Sequence, residues 1–217
     1  MKSRDLIEQV AQEGEAARVA QLSRADWLAV ALELFKTEGI EAVRVTRMAE
    51  ALGVTRGSFY WHFKHREDLQ NALIVFWQKK NVQSVLQALD ENHALDDGIL
   101  SLFSAWLNPD RFEPGLDLAM RDWARRSPKA NDAVNEADTL CMDAIAAFYE
   151  RHGFEPVEAR ARARTIYACQ IGYYVVTGLH EPMAIRLRYL ESIYAIMTGQ
   201  ALAPEKAERF RAAHIPA

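Results

Sequence analysis

The stretch GVTRGSFYWHFKHREDL, residues 53–69, decides the fold. It crowds four aromatic side chains into five positions and surrounds them with basic groups. On a helix, Phe59 and Phe63 lie four residues apart on one face and are expected in the core, so Tyr60 or Trp61 must be exposed. A large exposed aromatic group flanked by cations favours a recognition surface over simple packing.

Two short helices are predicted around the start of this stretch. The segment TRMAEAL, residues 46–52, predicts a helix of barely two turns that stops at Gly53. Thr55 is the predicted N-cap of the next helix, from Arg56 to about His62. Two short helices separated by LGV are typical of a helix-turn-helix.

Longer helices are predicted on both sides. Residues 23–38, SRADWLAVALELFKTE, carry apolar groups at three- and four-residue spacing, with Ser23 as N-cap, Asp26 at the third helical position and Gly39 as the stop. A helix is also expected to open near Glu67 and to run to about residue 92, because acidic residues favour a helix N-terminus.

The composition predicts an all-α protein. Half of the 217 residues are hydrophobic, glycines and prolines number only 10 and 7, and no alternating run of β-branched residues is present. Apolar periodicity predicts five further helices, at residues 96–107, 116–126, 128–152, 156–179 and 183–199.

The charges are unevenly distributed. The net charge is −4, yet residues 18–81 hold ten Lys and Arg against seven Asp and Glu, whereas residues 82–217 hold fourteen against nineteen. A mildly basic N-terminal module is therefore expected to precede an acidic body.

The sequence predicts a cytoplasmic protein without a membrane segment. No apolar signal core opens the chain, and no uncharged apolar run approaches about eighteen residues. Cys141 and Cys169 lack metal-ligand spacing and are expected to be small buried hydrophobic residues, so neither a disulfide nor a metal site is predicted. No cofactor is expected.

In a helix-turn-helix, the second helix leads with its N-terminal turn into the major groove. Arg56 can bind a guanine through two hydrogen bonds, Gly57 permits close backbone approach, and the Ser58 hydroxyl can meet a base or a phosphate. Further basic groups are expected near the phosphate backbone: His62, Lys64 and Arg66.

The stretch VTRGSFYWHFKHREDL, with MAEALG and SRADWLAVALELFKTEGIEAVRV before it, closely resembles the DNA-binding domain of the TetR family of bacterial transcriptional regulators, over about residues 23–77. In that family the helix bearing the SFYWHF pattern reads the operator, and the position of Arg66 contacts phosphate. The resemblance implies these DNA-binding residues: Arg44, Thr46, Thr55, Arg56, Gly57, Ser58, Tyr60, Trp61, His62, Lys64 and Arg66.

One position departs from the family pattern. Many members carry Thr or Ser at the start of the second helix, where this sequence has Arg44. Two readings stay open: Arg44 makes a stronger phosphate contact, or Thr46 takes over the capping role.

The resemblance also implies three regions: an N-terminal extension (1–22), the helix-turn-helix domain (23–68) and a ligand-binding and dimerisation domain (69–217). That last domain would hold a small-molecule cavity, and its last two long helices would pair with their mates in a homodimer. Candidate ligand-binding residues combine bulk with isolated polar tips: Trp106, Met120, Trp123, Met142, Tyr149, Tyr167, Gln170, Tyr173 and Tyr174. Core packing or the dimer interface is the alternative role for each.

Gln170 is the best single ligand candidate, because a buried amide must find a partner. That partner could equally be the dimer mate. The long apolar faces of residues 156–179 and 183–199 exceed what one subunit can bury, so dimerisation is also expected on physical grounds.

The resulting prediction is a ligand-responsive regulator, most often a repressor in this family, that binds double-stranded DNA at a palindromic operator. An architectural DNA binder with a filled core is the first alternative. An all-α enzyme with His93, His152 or His180 as base is the second, but none of these histidines has a nucleophile or a carboxylate pair nearby in the sequence. No catalytic residue is predicted.

Overall fold

The computed structural model describes residues 22–89, 94–177 and 181–215. Every secondary-structure element in these ranges is helical, which confirms the all-α prediction. The chain divides into two compact units between Phe76 and Trp77. The predicted N-terminal extension lies outside the described residues except for Leu22.

The first unit contains the predicted helix-turn-helix. Its elements are α1 (Arg24–Glu38), a 3₁₀ turn (Ile40–Ala42), α2 (Val45–Leu52), α3 (Arg56–His62) and most of α4 (Arg66–Trp77). Ser23 and Asp26 form the expected capping box at the start of α1. Gly53 ends α2 in the left-handed conformation, with φ of 67°, which a residue with a Cβ adopts less easily.

Aromatic packing holds α3 against α1. The Phe59 ring meets Trp27 edge-on at 5.4 Å between centroids and stacks on Phe63 at 5.3 Å. All three side chains are buried, as predicted for Phe59 and Phe63. The Arg24 guanidinium covers Phe63 at 4.0 Å and donates to the His62 carbonyl oxygen at 2.7 Å, so α1 also fixes the C-terminal end of α3.

The second unit is a helical body. Its elements are a π-helical turn (Gln78–Val82), α5 (Gln83–Ala88), α6 (Leu95–Leu107), α7 (Pro114–Ala124), α8 (Pro128–Arg151), α9 (Pro156–Thr177), α10 (Met183–Arg186), a 3₁₀ turn (Leu187–Tyr189), α11 (Leu190–Thr198) and α12 (Pro204–His214). Proline opens several of these helices, where its missing N–H leaves no helical hydrogen bond unmade.

The structure corrects three predictions for this unit. The expected helix at 183–199 is broken into α10, a 3₁₀ turn and α11, and α12 was not predicted. Cys141 is buried as expected, but Cys169 is exposed. The fourth helix was expected to run to about residue 92, but helical structure ends at Ala88, and Leu89 leaves the helical conformation.

The π-helical turn is tied to the loop before α7. The Asn81 amide pairs with the Glu113 backbone, donating to its oxygen and accepting from its nitrogen, both at 3.1 Å. The Ser84 hydroxyl donates to the Arg111 carbonyl oxygen at 2.6 Å. These hydrogen bonds give the buried Asn81 and Ser84 side chains partners and hold the turn against the loop.

Candidate nucleic-acid interface and ligand pocket

The predicted DNA-binding side chains are mostly exposed. Tyr60 and Trp61 keep 62% and 83% of their surface in solvent, although the Tyr60 ring also meets Phe59 edge-on at 5.3 Å. The other exposed members of the predicted set are Arg44, Thr46, Thr55, Arg56, Gly57, Lys64 and Arg66. The first unit therefore presents aromatic and cationic groups together along α3 and the turns beside it.

Two members of the set are placed differently. Ser58 is only 2% exposed, and its hydroxyl oxygen is buried without a hydrogen-bond partner among the described residues. His62 is half-buried, and its ring lies 6.5 Å from that of Trp27. Neither side chain is as free to meet DNA as its exposed neighbours on α3.

The structure answers the capping question at α2. Arg44 occupies the N-cap position without a side-chain capping bond, and its Nε donates to the Glu41 carbonyl oxygen at 2.9 Å. Thr46 is already the second residue of the helix, so it does not take the capping role. Thr55 occupies the N-cap position of α3, as predicted, but its side chain makes no capping hydrogen bond.

Some cations of the first unit are neutralised within it. Arg24 pairs with Asp68 at 3.0 Å and Arg47 pairs with Glu38 at 2.5 Å, and these hydrogen bonds hold the pKa of both carboxyl groups below the usual range. Arg56 and Lys64 have no carboxylate partner in the described part of the chain. Their charges are available to an anionic partner.

A polar network crosses the interior of the second unit. Arg121 donates to Asp117 at 2.8 Å and, through both terminal nitrogens, to Asp138 at 2.9 and 2.8 Å. Trp77 Nε1 donates to Asp117 at 2.9 Å, and the Tyr167 hydroxyl donates to Asp138 at 2.8 Å. Two carboxylates thus share one guanidinium, which leaves the cluster negatively charged.

This environment changes the proton affinity of its members. Burial alone would lower the pKa of Arg121, but the bonds with Asp138 and the charge of Asp117 raise it above its usual value. Burial raises the pKa of the Tyr167 hydroxyl and raises that of the Cys141 thiol to about 12. All of these groups therefore keep fixed protonation states near neutral pH.

Two cavities adjoin each other in the second unit. The larger, of about 110 Å³, lies among α6, α9, the α10–α11 segment and α12. The smaller, of about 10 Å³, has room for roughly one water and is bordered by Asp117, Arg121 and Tyr167. Trp106 and Gln170 border both cavities.

The structure brings only some of the candidate ligand residues together. Trp106, Tyr167, Gln170 and Tyr173 border one cavity or both. Met142 lines an open surface groove instead. The remaining candidates are buried and do not line either cavity: Met120, Trp123, Tyr149 and Tyr174.

The Gln170 amide nitrogen is buried without a partner among the described residues. Tyr149 donates to the Met197 carbonyl oxygen at 3.1 Å, and Tyr174 donates to the Trp106 carbonyl oxygen at 2.8 Å, so both hydroxyl groups have internal partners.

Sequence reasoning missed other cavity residues: Phe103, Leu107, Arg186, Leu187, Leu190, Ile193 and Phe210. An apolar residue in a helical pattern has the same local signal whether it lines a cavity or fills the core. The sequence also did not indicate that Arg186 lines the cavity, because its position depends on the break between α10 and α11.

The comparisons with known proteins agree with this architecture. Residues 28–73 match the sequence model described as bacterial regulatory proteins, tetR family. Tetracycline repressor protein class C of Escherichia coli is 42% identical over 167 residues, which cover 76% of this chain and 68% of that protein. The chain belongs to the TetR family.

The similarity of this TetR-family protein to other relatives is more local. The transcriptional regulator AcrR of Shigella flexneri is 48% identical over 50 residues, so the match spans only 23% of either chain. Among solved structures, one similar chain is NalD of Pseudomonas aeruginosa, the secondary repressor of the MexAB-OprM multidrug efflux pump. It aligns with a TM-score of 0.56 and 19% identity, over 83% of this chain and 96% of its own. That likeness shows the fold alone.

The described residues contain neither a membrane-spanning helix nor a metal-binding cluster. No helix in these ranges combines the length and apolar composition that crossing a membrane needs. The same part of the TetR-family chain holds no cluster of three His, Cys, Asp or Glu side chains able to bind a metal ion. His152 lies at the C-terminus of α8, with its Nδ1 2.8 Å from the Phe148 carbonyl oxygen, whereas His93 and His180 lie outside the described residues.

Proposed function

We propose that the protein is a transcriptional repressor that binds a palindromic operator as a homodimer and releases it when a small-molecule effector binds. The observation that carries the proposal is the exposure of Tyr60 and Trp61 on α3, beside Arg56 and Lys64, which have no carboxylate partner among the described residues. Membership of the TetR family and the similarity to the class C tetracycline repressor support the repressor role.

In this proposal α3 enters the major groove. Arg56, the first residue of α3, binds a guanine, and the bare backbone at Gly57 lets the helix approach closely. Tyr60 and Trp61 contact bases or groove walls. Lys64, Arg66, Arg44 and the two exposed threonines bind phosphates and set the position of α3, whereas buried Ser58 supports the helix from inside.

A two-fold operator requires a two-fold protein. The second unit exposes large apolar side chains on α9 and on the α10–α11 segment: Val157, Val175, Val176, Ile185, Tyr189, Ile193 and Ile196. Several large apolar side chains exposed on the same two segments favour a protein interface there. A second copy of the chain that binds there gives the protein the two α3 helices that a palindromic operator requires.

The cavity of about 110 Å³ favours an effector-responsive regulator over an architectural DNA binder with a filled core. Some of its lining residues belong to α9 and α11, which also carry exposed apolar side chains. An effector in this cavity therefore acts next to the proposed dimer interface. We place the protein in the cytoplasm, where it has access to DNA.

The first experiment selects genomic fragments with the purified protein and titrates the best one at two salt concentrations. We expect a palindromic site whose affinity falls steeply as salt rises, because phosphate contacts release counterions. Equal, weak binding to all fragments would rule out a specific repressor.

Variants then test the assignment of α3. Arg56→Ala and Tyr60→Ala should each weaken operator binding by about tenfold or more, since one good base contact contributes about 1–3 kcal/mol of discrimination. Arg125→Ala, which removes an exposed cation from the second unit, is the matched control and should leave affinity unchanged. Wild-type affinity in both α3 variants would mean that another surface reads the DNA.

A further inference from the structure

The cavity of about 110 Å³ in the second unit has mostly apolar walls. Phe103 and Leu107 contribute from α6, Leu187 and Leu190 from the segment around the start of α11, and Phe210 from α12. Such walls bind a ligand through its apolar body without specifying its polar groups. The few polar groups in the wall must therefore select the chemistry of the ligand.

Those polar groups are hydrogen-bond donors. Trp106 is only 4% exposed, and its indole N–H has no partner among the described residues. The Gln170 amide nitrogen is buried and also lacks a partner within the described ranges. Unpaired buried donors are costly and rare in native proteins, so a ligand with acceptor atoms would relieve both.

Arg186 adds a positive charge to the same wall. Its Nη2 donates to the Tyr174 hydroxyl at 2.9 Å, and that hydroxyl donates to the Trp106 carbonyl oxygen at 2.8 Å. The guanidinium also lies 5.2 Å from the ring centres of Tyr173 and Tyr174. Arg186 is thus held in place before any ligand arrives.

No carboxylate of the described residues forms an ion pair with Arg186. No acidic side chain lines the larger cavity over the described residues, and Glu181 accepts from the Tyr173 hydroxyl rather than pairing with Arg186. A guanidinium with no anionic partner beside an apolar cavity matches a carboxylate ligand, because its planar fork can form two parallel hydrogen bonds.

We propose that this cavity binds a small monocarboxylic acid with an aromatic or aliphatic body. The carboxylate pairs with Arg186, the body packs among Phe103, Leu190 and Phe210, and acceptor atoms of the ligand receive the Trp106 and Gln170 N–H groups. A volume of about 110 Å³ offers on the order of ten water-sized positions, enough for an acid of similar heavy-atom count. The inference rests on the proposed function only where it identifies this acid as the effector.

The test compares acids with their uncharged amides in calorimetric titrations of the full-length protein. The probes are phenylacetate, 3-phenylpropanoate, 4-phenylbutanoate, hexanoate and octanoate, each beside its primary amide. We expect at least one acid to bind about tenfold or more tightly than its amide, because hydrogen bonds to charged groups are the stronger ones. If no acid outperforms its amide, the proposal is overturned.

Variants locate the site. Arg186→Gln should remove the preference for the acid, and Arg186→Lys, which keeps the charge, should retain part of it. Arg188→Gln is the matched control, because Arg188 is an exposed arginine two residues away that does not line the cavity. Circular dichroism confirms that each variant is folded, and a preference that persists in folded Arg186→Gln overturns the assignment of Arg186.

Operator binding is measured separately, with and without the acid that binds best. An acid that binds through Arg186 without weakening operator affinity supports the cavity assignment but contradicts its role as effector. If the unliganded protein binds no operator specifically, the proposed function is wrong, but the calorimetric result still stands. The two failures are therefore distinguishable.

Discussion

At the residue scale, the first turn of α3 combines a glycine with an arginine at the surface proposed to meet DNA. A Cβ built at Gly57 would meet only the Thr55 hydroxyl oxygen, at the ordinary distance of 3.7 Å. The fold therefore does not require glycine at this position. In the proposed function, close approach of the backbone to the operator is the reason for glycine at position 57.

The Gly57→Ala variant separates these two requirements. We expect it to fold normally and to gain up to about 0.5–1 kcal/mol of stability, because alanine loses less conformational entropy in a helix. Its operator affinity should nevertheless fall several-fold, since the added methyl group stands between α3 and the groove. Denaturant unfolding and an operator titration measure the two effects, and an unchanged affinity would show that the backbone does not approach DNA at Gly57.

The two cysteines should differ in reactivity. Burial raises the pKa of the Cys141 thiol to about 12, so at pH 8 almost none of it is the reactive thiolate. In a Cys169→Ser variant, we expect no reaction with a thiol reagent until the protein is unfolded. Rapid labelling of the folded variant would mean that the interior around Cys141 opens readily.

At the element scale, α9 and α11 expose an apolar face that one subunit leaves uncovered. Ile196, on α11, is 71% exposed, so replacing it should disturb little of the subunit core. We expect Ile196→Glu to shift the protein from dimer to monomer, because it places a charge in the proposed interface. Analytical ultracentrifugation measures this shift.

Asp132→Lys on α8 is the control for that experiment, since it changes an exposed charge outside this face. It should leave the oligomeric state unchanged. A dimer that survives Ile196→Glu at low concentration would place the interface elsewhere on the second unit.

The sequence predicts elements where local signals are strong. The Ser23–Asp26 capping box and the stops at Gly39 and Gly53 are local chemistry, and the structure confirms all of them. The π-helical turn before α5 has no comparable signal, because it depends on hydrogen bonds between Asn81 and the distant Glu113 backbone.

The C-terminal helices were harder to predict for a related reason. α12 has few apolar positions and buries mainly Ala207 and Phe210, so its periodicity is weak. The helix breaks between α10 and α11 although apolar residues continue at helical spacing, so the sequence pattern does not reveal the break. For the same reason Arg186, which the break carries to the cavity wall, could not be identified from its neighbours in the chain.

At the scale of the whole molecule, effector and operator are expected to compete through one conformational equilibrium. If the best carboxylate weakens operator binding by a given factor, the operator must weaken carboxylate binding by the same factor. Titrating the acid with and without saturating operator DNA measures the second factor. Unequal factors would show that the two ligands are not linked by a simple equilibrium, for example because the acid also binds the DNA surface.

The single exposed indole on α3 also gives the protein an optical property. The protein has five tryptophans, and Trp61 is 83% exposed while the other four are buried. A dissolved quencher such as iodide should therefore extinguish mainly the emission of Trp61, and bound operator should protect it. Intrinsic fluorescence can thus follow occupancy of the proposed reading helix without any attached label.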